Sequence, residues 1–358
     1  MSSWAFRVML PTAIICALLL AAASSASAAF TEIAQTTHSS KASAVGSAVV
    51  FSRYDASTRR FRLVVVARDG VPRVLPIPSR TAPFDVDAGT DSDGHAVAVY
   101  SRCTREPEWR NAQFQGETIN YNRASGCDLY MARLTSGPER RLANLSMGSA
   151  SEFLPTISKG RVAFARRYTS RRGAAGVNPK IYLGSVGSTL VRLVRAGAQN
   201  GASSATRPIS MDLSGRQLAL VWSRETDSCR KSSGGDNSLN QPVATTAYLT
   251  TPGAAPRQMS TACTWDQEGK MSIAGIAWAG GRVIFATQHV VGDGQFGSTV
   301  TTIDSASRES STRELLSTGD AFLRYLTTTN TGIVVTTTMT HGRDPVRTTI
   351  SETPFLAP

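Results

Sequence analysis

The side chains best equipped for chemistry in this chain are arginines gathered around aromatic residues. RRYTSRR, residues 166–172, sets Arg166, Arg167, Arg171 and Arg172 about Tyr168. A guanidinium fork matches carboxylate or phosphate, and a tyrosine ring stacks on a sugar or base. The same run also reads as a solvated loop in an arginine-rich chain. A second cluster, Trp109, Phe114 and Tyr121, lies between Cys103 and Cys127. It reads either as a sugar-stacking platform or as a small core inside a closed loop. A third stretch, FDVDAGTDSDG, holds Asp85, Asp87, Asp91 and Asp93. Spaced acids with glycine can hold calcium, but the EF-hand spacing is absent and aspartate also caps such turns. The histidines, His38, His95, His289 and His341, form no ligand pair with each other or with cysteine. No H-E-x-x-H, G-x-S-x-G or P-loop is present, so no catalytic residue, metal or cofactor is assigned.

Short strands must position these residues. One strand tail recurs: VVFSR (residues 49–53), AVYSRC (98–103), VAFAR (162–166) and LVWSR (220–224). Its bulky residue appears in series as Phe51, Tyr100, Phe164, Trp222, Phe285 and Val335, at steps of 49 to 64 residues. Each unit adds further β-branched or aromatic runs, split by Gly, Asp, Asn and Ser turns, with no sustained helical period. Six units of four short strands predict an all-β, six-bladed β-propeller with antiparallel blades. The last unit lacks a fourth strand, and FTEIAQT, residues 30–36, is expected to supply it and close the ring.

The units resemble TolB-type propeller repeats, which are WD-repeat-like. The Pro-led first strand, the Gly-ended turn and the Ile-Ala-Phe strand of that repeat match Pro208, Ser214-Gly215 and Leu218-Ala219-Leu220. They also match Pro155, Lys159-Gly160 and Val162-Ala163-Phe164, followed by Ile181-Tyr182-Leu183 for the Ile-Tyr-Val strand. Asp93-Gly94 and Leu129-Tyr130-Met131 fit in the second unit. The Ser-Pro-Asp turn is degraded throughout. The resemblance implies a fold that hosts binding scaffolds and enzymes alike.

With strands lettered a to d from the axis outward, the b–c and d–a loops share one face. Cys103, Cys127, Cys229 and Cys263 all fall there. Four cysteines allow three connectivities, and 103–127 with 229–263 needs the shortest reach. The tail arginines Arg53, Arg102, Arg166 and Arg224 end strand b on this face. They are expected to form a partial ring about the axis, or to pair with nearby acids and carbonyls.

The N-terminus carries Arg7, an apolar run at residues 13–23 and an Ala26-Ser27-Ala28 site. This reads as a signal peptide over residues 1–28, cleaved near Ala28, ahead of a single domain at 29–358. The run is too short to span a bilayer, and a secreted or periplasmic monomer is expected. Removing Arg7 lowers the formal charge from +12 to +11. Only five of the 38 basic residues are lysine, and acids are interspersed, so no nucleic-acid groove is expected. The expected function is a non-enzymatic binding or scaffold module for a protein or an anionic polysaccharide of the cell envelope, acting through the b–c loops. The alternative is an extracellular hydrolase or lyase on carbohydrate or peptide at the axial channel. A buried histidine or carboxylate of shifted pKa near the axis favours the second.

Overall fold

Alternation along strand b explains the architecture. In VAVY, VAFA and LALVW both faces are apolar, so both must be covered. The computed structural model of the protein describes residues 30–38, 41–67, 70–110, 118–121, 124–135, 137–168, 179–195, 207–225, 229, 243–263, 270–290, 296–319, 321–339 and 347–355. Six four-stranded antiparallel sheets stand as blades in a ring. The strands that matter most for the site are the innermost ones. These are Ala42–Val45, Asp87–Thr90, Ala150–Ser158, Arg207–Ser214, Lys270–Ala279 and Ala321–Thr328, for blades 1 to 6. Each packs against the innermost strands of both neighbouring blades. Strand b of each blade follows across a tight a–b turn. As expected, Thr31–Thr36 pairs antiparallel with Arg347–Pro354 and completes blade 6.

The apolar core is divided into six clusters, one at each seam between blades. The recurring bulky residue of strand b always faces the preceding blade. Phe51 joins the blade 6–1 cluster, Tyr100 the 1–2, Phe164 the 2–3, Trp222 the 3–4, Phe285 the 4–5 and Val335 the 5–6 cluster. The residue next to it in the strand faces the following blade, as the two-residue period requires.

Polar ties cross every seam near the axis. Ser43 Oγ donates to Asp87 Oδ1 at 2.8 Å between blades 1 and 2. Asp87 Oδ2 accepts from Thr156 Oγ1 and Ile157 N, both at 2.9 Å, between blades 2 and 3. Gly215 N donates to Ser158 Oγ at 3.2 Å, and Trp278 N to Asp212 Oδ2 at 2.7 Å. Thr328 Oγ1 donates to Trp278 O at 2.6 Å, and Asn330 N to Gly46 O at 3.0 Å, closing the circle. The inner strands of blades 3 to 6 carry β-bulges. A bulge frees backbone groups from the ladder. In blade 3 it holds Leu154 at φ 49° and aims its N–H at Asp85 Oδ2, 2.8 Å away.

Both disulfides form with the expected pairing, Cys103–Cys127 and Cys229–Cys263. The first joins residues directly opposite each other on strands b and c of blade 2 and staples the base of the insertion.

Close approach at the seams restricts side-chain size. A Cβ on Gly89 would sit 2.3 Å from Ile157 O across the blade 2–3 seam, whereas one on Gly148 meets nothing within 4 Å. Gly89→Ala is therefore expected to cost about 1–3 kcal/mol, a drop of several degrees in Tm. Gly148→Ala should leave Tm nearly unchanged. Thermal denaturation of both variants tests the seam geometry, and equal Tm values would contradict it.

Candidate functional site

The inner strands enclose an axial cavity of about 1690 Å³. The a–b turns contribute Thr90, Lys159, Gly280 and Asn330 to its wall, so its mouth lies on the a–b face. Two of the carboxylates that line it come from innermost strands, Asp87 from blade 2 and Asp212 from blade 4. Lys41 Nζ stands 4.0 Å from Asp87 Oδ1. Burial pushes the Asp212 carboxyl up to about 7, and the nearby Asp87 charge pushes the same way. A carboxyl poised near neutrality beside a second acid is an arrangement that acid–base catalysis uses. Here, however, the oxygens already serve the fold. Asp212 Oδ1 accepts from Leu213 N at 2.8 Å and Oδ2 from Trp278 N, while both Asp87 oxygens accept the seam bonds given above.

On the b–c face, the structure places the singled-out residues in several settings. Arg53 is exposed. Arg102 is ion-paired to Glu139 and lies over the Tyr130 ring at 5.5 Å. Glu139 also accepts from the Tyr100 hydroxyl. Arg166 is buried between blades 2 and 3. Its Nε donates to Glu152 Oε1 at 2.8 Å, its Nη2 donates to Leu145 O at 2.8 Å, and its guanidinium lies over Tyr182 at 4.8 Å. Burial pushes the Glu152 carboxyl up to about 7 against the opposing pull of Arg166. Arg167 Nη2 donates to Ala124 O at 2.6 Å. Tyr168 is exposed, with its hydroxyl 3.3 Å from that of Tyr182. Arg224 is half-buried. Arg171, Arg172 and Phe114 lie outside the described residues. The structure thus brings Arg166, Arg167 and Tyr168 together at the end of one strand. Arg102 and Arg166 are each committed to an acid.

Trp109 and Tyr121 fold back onto the body. Trp109 packs edge-on against Phe61 at 5.0 Å, close to His38 and Tyr54, and donates from Nε1 to Thr81 O at 2.7 Å. Tyr121 is buried and stacks on Phe153 at 4.5 Å. The aspartates of FDVDAGTDSDG divide between two tasks. Asp85 and Asp87 tie blade 2 to its neighbours, and Asp91 Oδ1 caps the a–b turn by accepting from Asp93 N and His95 N. Ligand atoms of Asp91, Asp93 and His95 lie within 4.8 Å of one another.

Sequence reasoning missed Asp212, Glu152 and the fully buried Arg80, which pairs with Glu106 and lies 3.9 Å from Asp85. The available signal was a charged residue inside an otherwise apolar strand, as in SMDLS and SEFLP. Such a charge is costly unless partnered.

No family model matches the chain, and no curated protein matches it. Among solved structures it is similar to the β-propeller domain of the Trilobed protease from Pyrococcus furiosus. That match has 8% identity and a TM-score of 0.42, and covers 90% of this chain and 99% of that one. It is also similar to a Mycobacterium tuberculosis puromycin-hydrolyzing peptidase, at 16% identity and a TM-score of 0.40. The match covers 82% of this chain but spans only 39% of the peptidase. A Trypanosoma rangeli sialidase matches at 10% identity and a TM-score of 0.48, over 91% of this chain and 55% of that one. The functional reading therefore rests on this chain's own residues.

The raised carboxyl of Asp212 has a consequence for stability. The folded state keeps a proton that the unfolded chain releases near its ordinary value of 3.8. That stabilisation is complete below about pH 4 and is lost as pH rises through about 7. Tm is expected to fall between pH 5 and pH 8, and Asp212→Asn, which keeps an acceptor for Trp278 N, is expected to reduce that fall. Glu152→Gln should act in the same direction. Unfolding curves at several pH values check this, and an unaltered slope in both variants refutes it.

Proposed function

We propose that this chain is an exported, non-enzymatic binding or scaffold module, a TolB-type propeller that holds a protein or an anionic polymer of the cell envelope. One observation carries the reading. The axial carboxylates, where a propeller enzyme would keep its acid–base pair, are engaged in hydrogen bonds that hold blade to blade. The contact surface in this reading is the b–c loop face, where disulfides hold the long loops of blades 2 and 4 and where Arg53 and Tyr168 are exposed. Loops on a rigid scaffold are the usual place for recognition. Two disulfides fit an oxidising, extracellular or periplasmic setting, and cleavage near Ala28 belongs to the same proposal. No helix among the described residues is long and apolar enough to cross a membrane.

A second reading, a hydrolase or lyase of carbohydrate or peptide, is favoured by the Asp212 carboxyl, raised to about 7 on the cavity wall. The two are separated by experiment. In the first, the mature chain is retained on cell-envelope polymer, retention falls with salt, and Arg53→Ala/Arg167→Ala/Tyr168→Ala weakens it at least fivefold without loss of fold. Salt-insensitive retention, unchanged in the triple variant, sinks the anionic-polymer form. In the second, product appears from polysaccharide or peptide and Asp212→Asn abolishes it. Turnover that depends on Asp212 overturns the non-enzymatic reading.

A further inference from the structure

The axial cavity does not end at the axis. It runs outward on the a–b side into the seam between blades 5 and 6, where Ile284, Val300 and Ile333 form an apolar floor. Thr302 and Ser311 of blade 5 give it hydroxyl walls, and Phe355 stands at its edge. Among the residues along it is Arg313, on the outermost strand of blade 5, Ser310–Gly319. Arg313 is directly opposite Val300 in the antiparallel ladder, so both side chains share the face turned to blade 6.

Arg313 is in an unusual position for a cation. Its Nη1 is buried and has no hydrogen-bond partner among the described residues. Burial pushes its pKa down with no counteracting carboxylate, yet an arginine side chain stays protonated. Arg80 meets Glu106 and Arg166 meets Glu152. Arg224 Nε and Arg257 Nη2 are also buried with no partner among the described residues, but neither residue lines the cavity, as Arg313 does. The remaining charges on the cavity wall do not take that role. Asp304 Oδ1 accepts from Ala306 N and Ser307 N in its own turn and lies near Arg282, and Glu309 is exposed at the rim. Lys159 and Arg282 add positive charge along the same wall.

The geometry points to a ligand site in this seam, which takes a carboxylate-bearing oligosaccharide whose acid group pairs with Arg313. A carboxylate is a fork-matched acceptor for a guanidinium, and no carboxylate is paired with Arg313 among the described residues. The serine and threonine walls exchange hydrogen bonds with sugar hydroxyls, and the apolar floor takes the less polar face of a sugar ring. At about 1690 Å³ the cavity exceeds the roughly 300–1,000 Å³ of ordinary small-molecule pockets, which fits several linked units. The site lies on the side opposite the b–c loops, so it stands or falls separately from the function proposed above.

The test is calorimetric titration of the mature chain with tetra- to hexasaccharides of galacturonate, glucuronate and mannuronate. The same oligosaccharides with their carboxylates reduced to alcohols, and hexaglutamate, are run beside them. At least one uronate is expected to bind, with its reduced form at least tenfold weaker. Arg313→Ala and the size-matched Arg313→Met should each lower affinity at least tenfold, with Tm close to wild type. Arg53→Ala/Arg167→Ala/Tyr168→Ala should leave this binding unchanged. The inference is overturned if no uronate binds, if the reduced forms bind equally, if both Arg313 variants bind as wild type, or if hexaglutamate binds as well as the sugars.

Discussion

The seam between blades is the constraint on which everything else depends. Strand b is apolar on both faces, so no blade can be soluble alone and each must be covered twice. Only a closed ring satisfies all six blades at once, because an open one leaves two faces bare. Closure falls to Thr31–Thr36, which joins the two ends of the chain in one sheet. The bulky residue of each strand b is spent on the seam behind it, and its neighbour on the seam ahead. Loss of one seam therefore exposes apolar surface on two blades, which is why small residues such as Gly89 and Gly275 matter where backbones nearly touch.

Close packing near the axis creates a second problem. Each innermost strand is a sheet edge, so some of its backbone N–H groups face away from the ladder, a bulge at Leu154 adds one more, and each unmet buried donor costs about 1–3 kcal/mol. Asp85, Asp87 and Asp212 meet that need by accepting from Leu154, Ile157 and Trp278. Burial then raises the Asp212 carboxyl towards neutrality while its oxygens accept these bonds. A raised carboxyl beside a cavity can have a catalytic or a structural origin. The same logic applies to Glu152, whose burial is tolerated because Arg166 lies against it. Arg313 differs from Arg80 and Arg166, since its buried Nη1 has no partner among the described residues.

Much of the fold was legible in the residue order. The recurring tail at 51, 100, 164, 222, 285 and 335 identified six units, and the missing outer strand at the end pointed to residues 30–36. The cysteines were legible because topology placed them on one face at short reach. The candidate sites were less so. Arginine at the end of strand b could be placed, but its partner could not, since Glu139 and Glu152 come from other segments at separations of 37 and 14 residues. Trp109 and Tyr121 were read as a platform or a core, and the choice turned on Phe61 and Phe153, which the sequence does not mark as neighbours.

The sequence by itself determined blade number, strand order and ring closure, and favoured one of three disulfide pairings. These follow from local periodicity, turn chemistry and chain length, which are written residue by residue. The tertiary structure alone decided which charges are spent on the seams, where the cavity opens, and which buried guanidinium nitrogens lack a partner among the described residues. Those outcomes depend on registers between blades that are set by bulges and by the fit of side chains across each seam. Contacts of that kind join residues tens of positions apart, and no local pattern encodes them.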